Sequence, residues 1–428
     1  MDSERVNFGN THQTDPIVLG EGYILSGNDV GITRPNDNVL IDGCSGVGKT
    51  TSTQIPTMLL MSEMNPIASF AKEEEAVQMA NYLRAKGYQI EILNLNDPGR
   101  STVSFDPLLL IRTQEDIEEF SAAAVNSVLE KTNDSYWNSS AKSLNSALVY
   151  TAKMKGENIG TDAYLRLFDK TVPEETNSGF STQLHPFIRK LRDQSPHCYS
   201  TRMFNAWASL PFRTASCVRD TLATALSIVF PEAVRKMMRD RSQINFEKLA
   251  TERKKGLFII SDAAEPWQAY YLNLFWSMGI RKLRAIAKDS PENRLPIPVR
   301  MYFGDFGCTC PIQNFEKNIS VFRSAGISCF IILQSQSQLE SIYGTDKAAI
   351  IRQNCPVQVY FPGGFDDRSC ELVSRRMNMP FEDVMYAPLG KVFIMQTGRK
   401  PVIVSRYDTY HSKEYQTFLE TNRKPLHR

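Results

Sequence analysis

The chain has 428 residues, 42% of them hydrophobic and 22% charged, with a formal net charge of +2 at pH 7. That length allows two or three domains around a large core, and near-neutral charge gives no global signal of a nucleic-acid binder. No run approaches the roughly eighteen apolar residues a membrane-spanning helix needs, and the start, Met1-Asp2-Ser3-Glu4-Arg5, lacks the apolar segment of a signal peptide.

In chain order, residues 1 to 20 read as a loose polar arm, and Asn38-Val39-Leu40-Ile41-Asp42 reads as a short buried strand. Gly43-Cys44-Ser45-Gly46-Val47-Gly48-Lys49-Thr50 then matches the phosphate-binding loop G-x-x-x-x-G-K-[ST] at every fixed position, and Thr51 to Met61 carries the apolar residues of a following helix. Glycines let consecutive backbone N–H groups curl around a polyphosphate at the positive end of a helix. Residues Gly43 to Thr51 are therefore the candidate nucleotide site, with Lys49 reaching the β- and γ-phosphates of ATP and Thr50 ligating Mg²⁺.

From 107 to 255 the text turns mainly helical, with i, i+3, i+4 apolar spacing over 115–131, 138–155, 184–193 and 214–239, and a loop at Lys170 to Thr182. Strand–helix alternation resumes at Gly256. Strands are expected at 257–261, 299–303, 328–333, 357–361, 391–396 and 401–405, and helices at 266–288, 314–325, 335–353 and 366–378. Such alternation predicts an α/β fold with a mostly parallel sheet covered on both faces. The expected division is 1–106 as the first part of a nucleotide-binding domain with its arm, 107–255 as an inserted all-α domain, and 256–428 as the second part.

Hydrolysis needs a strand-end carboxylate beside the glycine loop. The strand Val299–Phe303 leads into Gly304-Asp305-Phe306, making Asp305 the candidate for both metal and water; Asp262, after Leu257–Ser261, is a rival that more simply caps the next turn. Arg323 can reach a neighbouring subunit's nucleotide, and Gln334 at a strand tip can sense a γ-phosphate. Basic clusters at 189–192, 235–241, 253–255 and 281–284 read as solvated helix faces; those at 235–241 and 281–284 could also line a channel if the chain forms a ring. Trp207, Trp267 and Trp276 sit at helical spacings that suit the core. His185, His197 and His411 stand apart, beside no acid/nucleophile pair. The scattered cysteines, Cys308-Thr309-Cys310 among them, lack zinc-site spacing and read as reduced thiols.

From about Ile24 to Tyr407 the chain resembles the type IV coupling proteins, the TraG/TraD-type DNA-translocating ATPases of bacterial conjugation. The glycine loop followed by Ile55-Pro56, the aromatic Asp134-Ser135-Tyr136-Trp137 with Ala141, Leu144 and Leu148, the run Asn314 to Leu339, and Ile351-Arg352-Gln353-Asn354-Cys355 carry the likeness. The resemblance implies a RecA-like P-loop NTPase with an inserted all-α domain, using ATP and Mg²⁺ and assembling as a homo-hexamer. Its partners would be single-stranded DNA with a relaxase and the proteins of a type IV secretion channel. It would work in the bacterial cytoplasm at the inner face of the cell membrane, which it would reach only through a partner. Arg323 falls at the arginine-finger position and Gln334 at the γ-phosphate sensor.

The sequence departs from this family at three places. Gly304 stands where the first of two strand-end acids is expected, and Asp305 falls in the second, water-activating place. Phe70-Ala71-Lys72-Glu73-Glu74 replaces the family's Asp-Pro-Lys-Gly-Glu, and neither an amino-terminal anchor nor an acidic tail is seen. One alternative is therefore a non-hydrolysing nucleotide-binding paralogue that scaffolds or regulates the machine. Another, a cytosolic P-loop kinase, is disfavoured by the missing lid arginines and acceptor motif.

Overall fold

Along each central strand, successive residues enter different cores. Leu40 packs with one apolar cluster while Val39 and Ile41 pack with the other; Met301 and Phe303 join the first and Tyr302 the second. This period of two, with both faces buried, is what a parallel sheet covered on two sides requires. The computed structural model describes residues 15–25, 36–126, 135–155, 159–194, 198–262, 264–304, 306 and 311–423.

The strands are β1 (Ile17–Gly20), β2 (Tyr23–Leu25), β3 (Val39–Asp42), β4 (Asn65–Phe70), β5 (Gln89–Asn94), β6 (Glu174–Thr176), β7 (Gly179–Ser181), β8 (Lys255–Ile260), β9 (Val299–Phe303), β10 (Ile327–Ile332), β11 (Val357–Tyr360), β12 (Lys391–Gln396) and β13 (Val402–Ser405). Nine of them form one sheet in the order β13-β12-β11-β3-β10-β9-β4-β8-β5. From β11 to β5 every neighbour is parallel, and β12 and β13 complete the edge in antiparallel pairing. The α/β class with a mostly parallel sheet is thus as the sequence predicts.

Between β5 and β8 the described chain is chiefly helical. Helices Ser135–Lys155, Tyr199–Ala208 and Phe212–Val229 bury Leu144, Leu148, Phe204, Val218 and Leu222 in the cluster that also contains Leu257 and Met301. Helix Pro266–Asp289 is buried on nearly every side over 268–280, with Tyr271, Phe275 and Trp276 inside, before the basic face of Arg281, Lys282 and Arg284. A helical stretch hydrophobic all round belongs inside, and this helix shares a cluster with both the sheet and the helical block.

Several elements differ from the sequence reading for local reasons. The expected helix 214–239 divides at Pro231, which cannot donate a backbone bond, and 335–353 divides at Gly344, whose φ of 76° leaves the helical region. The stretch 314–325 becomes two short helices, Phe315–Ile319 and Phe322–Ala325. The loop expected at 170–182 contains the hairpin β6–β7, closed by Asn177 and Ser178 ahead of Gly179 at φ 134°. The last residues of the expected arm are built into the fold, since β1 is buried throughout.

Asp15 and Arg300 fasten that segment. The Asp15 carboxylate accepts from Ser62 N, Glu63 N and Met64 N, each at 2.9 Å, while the fully buried Arg300 on β9 donates to the Asp15 carbonyl at 3.1 Å. No helix among the described residues is long and apolar enough to cross a membrane. Removing the carboxylate would orphan the buried Met64 N–H, which costs about 1–3 kcal/mol, and leave the partly buried Ser62 and Glu63 N–H groups to solvent at a smaller cost. Asp15→Ala should therefore lower the urea midpoint by an amount equivalent to about 2–4 kcal/mol, measured by circular dichroism.

Candidate functional site

The end of β3 is held from both sides: Phe361 N donates to the Asp42 carbonyl and Leu333 N to the Ile41 carbonyl, each at 2.8 Å. The chain then leaves the carboxyl edge of the sheet as the glycine loop. Gly46 and Gly48 adopt φ of 82° and 92°, a region that residues with a Cβ rarely enter. Lys49 is 8% exposed, and its ammonium donates to the Gly43 and Cys44 carbonyls at 2.5 and 2.7 Å. The first helical turn, Thr50–Gln54, is wide, with Ile55 N bonded to the Thr50 carbonyl. Pro56, which has no N–H to donate, follows directly.

A cleft of about 410 Å³ opens over this loop. One wall is Ser45, Gly46, Gly48, Lys49, Thr50 and Thr51; Gly304 and Gln334, past the ends of β9 and β10, also line it, as do Gln338, Arg406 and Tyr410. Of the proposed nucleotide residues, Gly43 and Cys44 hold Lys49 through their carbonyls. The Val47 side chain packs against the second core, so only its backbone is available to a ligand. The left-handed glycines, the anchored lysine and the Thr50 hydroxyl suit a magnesium triphosphate. Among the described residues no group of three or more acidic, His or Cys side chains could hold a metal ion; the Thr50 hydroxyl, on the wall of the cleft, is placed where it could serve as a ligand to Mg²⁺.

Gly304 lies where the strand-end acid was expected. Its N–H donates to Ser69 Oγ at 3.1 Å, and Ser69 Oγ donates to the Tyr302 carbonyl at 3.1 Å. A Cβ built on Gly304 would sit 3.1 Å from the Ser69 carbonyl, a close approach that a small shift relieves. Asp305, the candidate metal and water carboxylate, lies outside the described residues, as do Asp134, His197 and the pair Cys308 and Cys310. The next residue, Phe306, is fixed by N–H donation to the Ile332 carbonyl at 3.2 Å and by stacking on Tyr343. Phe70, at the other position where the resemblance implies an acid, packs on Phe258, with ring centroids 4.9 Å apart.

Gln334 and Arg323 are not brought together. Arg323 is exposed on the short helix before β10, whereas Gln334 follows its far end. The six-residue strand between them spans roughly 20 Å, so Arg323 stands outside its own chain's cleft. Asp262 accepts from Ala264 N at 2.9 Å, the turn-capping role expected of it. Two of the arginines at 235–241 are ion-paired within the chain, Arg235 with Glu232 at 2.5 Å and Arg239 with Asp162 at 3.0 Å, and Arg241 donates to the Gly99 carbonyl at 2.8 Å. Arg281 pairs with Asp116. Trp207 and Trp276 are buried, and His411 is bonded to Asp408 at 2.7 Å. The described cysteines are free thiols, with Cys329, Cys355 and Cys370 buried.

Behind the loop stands a group that sequence reasoning passed over. Asp42 is buried; its Oδ2 accepts from Gln336 Nε2 at 3.0 Å while its Oδ1 has no hydrogen-bond partner. Gln336 in turn accepts from Arg352, which pairs with Glu340 at 2.9 Å. Burial pushes the Asp42 pKa up to about 6, against the hydrogen bond from Gln336 that favours the charge. Arg406 and Tyr410 were also missed, because nothing in their local pattern marks them and the sheet alone brings them to the loop.

A doubly wound parallel sheet with a glycine loop and lysine at its carboxyl edge defines a P-loop NTPase. The family model described as "Type IV secretory system Conjugative DNA transfer" matches residues 3–378, and the chain belongs to that family. No curated protein matches the chain by sequence. Among solved structures the chain is similar to the plasmid coupling protein TrwB in complex with the non-hydrolysable ATP analogue ADPNP. The TM-score is 0.62 at 17% identity, over 86% of this chain and 85% of that one. TrwB in complex with ADP and Mg²⁺ gives 0.63 at 16% identity, over 89% and 88%. VirB4 of Thermoanaerobacter pseudethanolicus gives 0.52 at 12% identity, over 93% and 98%. At these identities the likeness is one of fold, and it agrees with the RecA-like architecture and the coupling-protein family expected from the sequence.

The Asp42 proton has a measurable consequence. Between pH 3.8 and about 6 the native state holds a proton that the unfolded chain has released, so this contribution to stability is complete below pH 3.8 and is lost as pH rises through 6. The loss amounts to about 3 kcal/mol. Asp42→Asn should flatten that decline and raise stability at pH 7 relative to wild type, read from urea unfolding at pH 5 and pH 7.

Proposed function

We propose that the chain binds ATP with Mg²⁺ at Gly43–Thr51 and is a coupling protein of conjugative, type IV DNA transfer. In this reading ATP hydrolysis drives single-stranded DNA, with its bound relaxase, into a secretion channel. The observation that carries the proposal is the shared cleft in which Lys49 and Thr50 meet Gly304 and Gln334 at the carboxyl edge of the sheet. Lys49 binds the β- and γ-phosphates, the loop amides cradle them, and Gln334 senses the γ-phosphate. Thr50 with Asp305 would hold Mg²⁺, which when bound would supply positive charge against the developing phosphate charge. Asp305 also takes the water-orienting role. Arg323 serves the nucleotide of a neighbouring protomer in a homo-hexameric ring, a role its exposed position outside its own cleft suits. The ring works at the inner face of the bacterial cell membrane, held there by a partner protein.

A second reading is favoured by Gly304 and Phe70, which stand where the family carries acids: a nucleotide-binding subunit that scaffolds or regulates the machine without turnover. Loss of a metal-ligating or water-orienting carboxylate costs several kcal/mol in the transition state while leaving ground-state binding intact.

ATP turnover with and without single-stranded DNA separates the two. We expect DNA-stimulated turnover that Lys49→Ala abolishes and Gly304→Asp raises by about tenfold or more. ATP binding without turnover, with activity appearing only in Gly304→Asp, would establish the scaffold instead. Phosphate transfer to a small acceptor would indicate a kinase.

A further inference from the structure

Arg406 and Tyr410 lie beyond residue 378, where the match to the family ends, yet both line the cleft that contains Lys49 and Thr50. The segment carrying them leaves β13 and is fastened to the glycine loop at two points. Arg406 Nη1 donates to the Val47 carbonyl at 3.1 Å, and the Thr409 hydroxyl donates to the Thr51 carbonyl. Arg406 N, bonded to the Gly390 carbonyl at 2.8 Å, fixes the root of the segment. The approach is so close that a Cβ on Gly48 would lie 2.6 Å from Arg406 Nη1. Thr409 is buried, whereas Tyr410 is 54% exposed and meets Tyr415 edge-on at 5.2 Å between centroids.

Sheet order tells which end of a nucleotide this segment faces. β10 and β9, followed by Gln334 and Gly304, flank β3 on one side, and β11, β12 and β13 lie on the other. The γ-phosphate belongs with Lys49, Thr50 and the Gln334 side. A nucleotide laid through the loop therefore turns its α-phosphate, ribose and base toward Thr51 and the residues that follow β13. A guanidinium plane and an aromatic ring are surfaces on which a nucleobase stacks, with little regard to which base it is. We infer that Arg406 and Tyr410 form the nucleobase subsite of their own chain, holding the base by stacking rather than by reading its edge. The inference rests on the nucleotide reading above and adds to it the residues that grip the organic half of the ligand.

The test compares MgADP with magnesium tripolyphosphate, which has the phosphates but no base, by titration calorimetry on the full chain. Both side chains are exposed, so Arg406→Ala and Tyr410→Ala should leave the fold intact, as circular dichroism will check. Each substitution is expected to weaken ADP about tenfold and to leave tripolyphosphate unchanged; Lys49→Ala, as control, weakens both ligands. ADP affinity unchanged in either variant, or an equal loss of both ligands, overturns the base subsite and leaves the nucleotide reading standing. Wild-type protein that binds neither ligand overturns the nucleotide reading and this one together.

Discussion

Everything at the carboxyl edge of the sheet depends on the clamp on β3. Its last two residues are bonded through their carbonyls to β10 on one side and to the end of β11 on the other, and only then does the backbone enter its left-handed glycines. A loop whose function is to present N–H groups needs a rigid base, because a polyphosphate rewards amides already aimed at it. The clamp also explains the cost tolerated at Asp42. A strand flanked on both sides and buried on both faces leaves its final side chain no route to water. The carboxyl group therefore sits in a half-satisfied network with Gln336, Arg352 and Glu340.

Binding and turnover draw on different parts of this edge. Under the proposed reading, ground-state affinity draws on the glycine geometry, Lys49 and Thr50, all of which line or shape the cleft. The charge stabilisation that hydrolysis adds is where the chain departs from its family. At Gly304, where the resemblance implies an acid, there is no side chain at all, and at Phe70, where it implies another, the side chain packs on Phe258. Neither change disturbs the sheet, since both positions pack without strain. The family fold is thus compatible with a slow or silent site.

Much of the fold was legible because fully buried parallel strands are written as unbroken apolar runs. Lys255–Ile260, Val299–Phe303 and Ile327–Ile332 stand within a residue or two of their expected limits. Errors fell where a single residue overrides periodicity, as at Pro231 and Gly344, or where a polar hairpin such as β6–β7 has no apolar face to betray it. In the site, the glycine loop was legible because its chemistry is local in sequence, and Gln334 because a strand leads directly to it. Asp42, Arg406 and Tyr410 were not. Their importance comes from burial and from contacts across more than 350 residues of chain in the case of Arg406 and Val47, which no window of sequence records.

The separation of Arg323 from Gln334 bears on how a ring would communicate. Under the proposed assembly each protomer's β10 has its own γ-phosphate sensor at one end and, at the other, the arginine offered to a neighbour. All six residues of that strand are buried, and it is bonded to β3 on one side and β9 on the other. Packed interiors transmit displacement rather than absorb it. In that assembly a change at Gln334 on loss of the γ-phosphate would be carried along a stiff element to the surface offered to the next subunit. Communication between sites would then need no separate device, because one strand would serve both nucleotides.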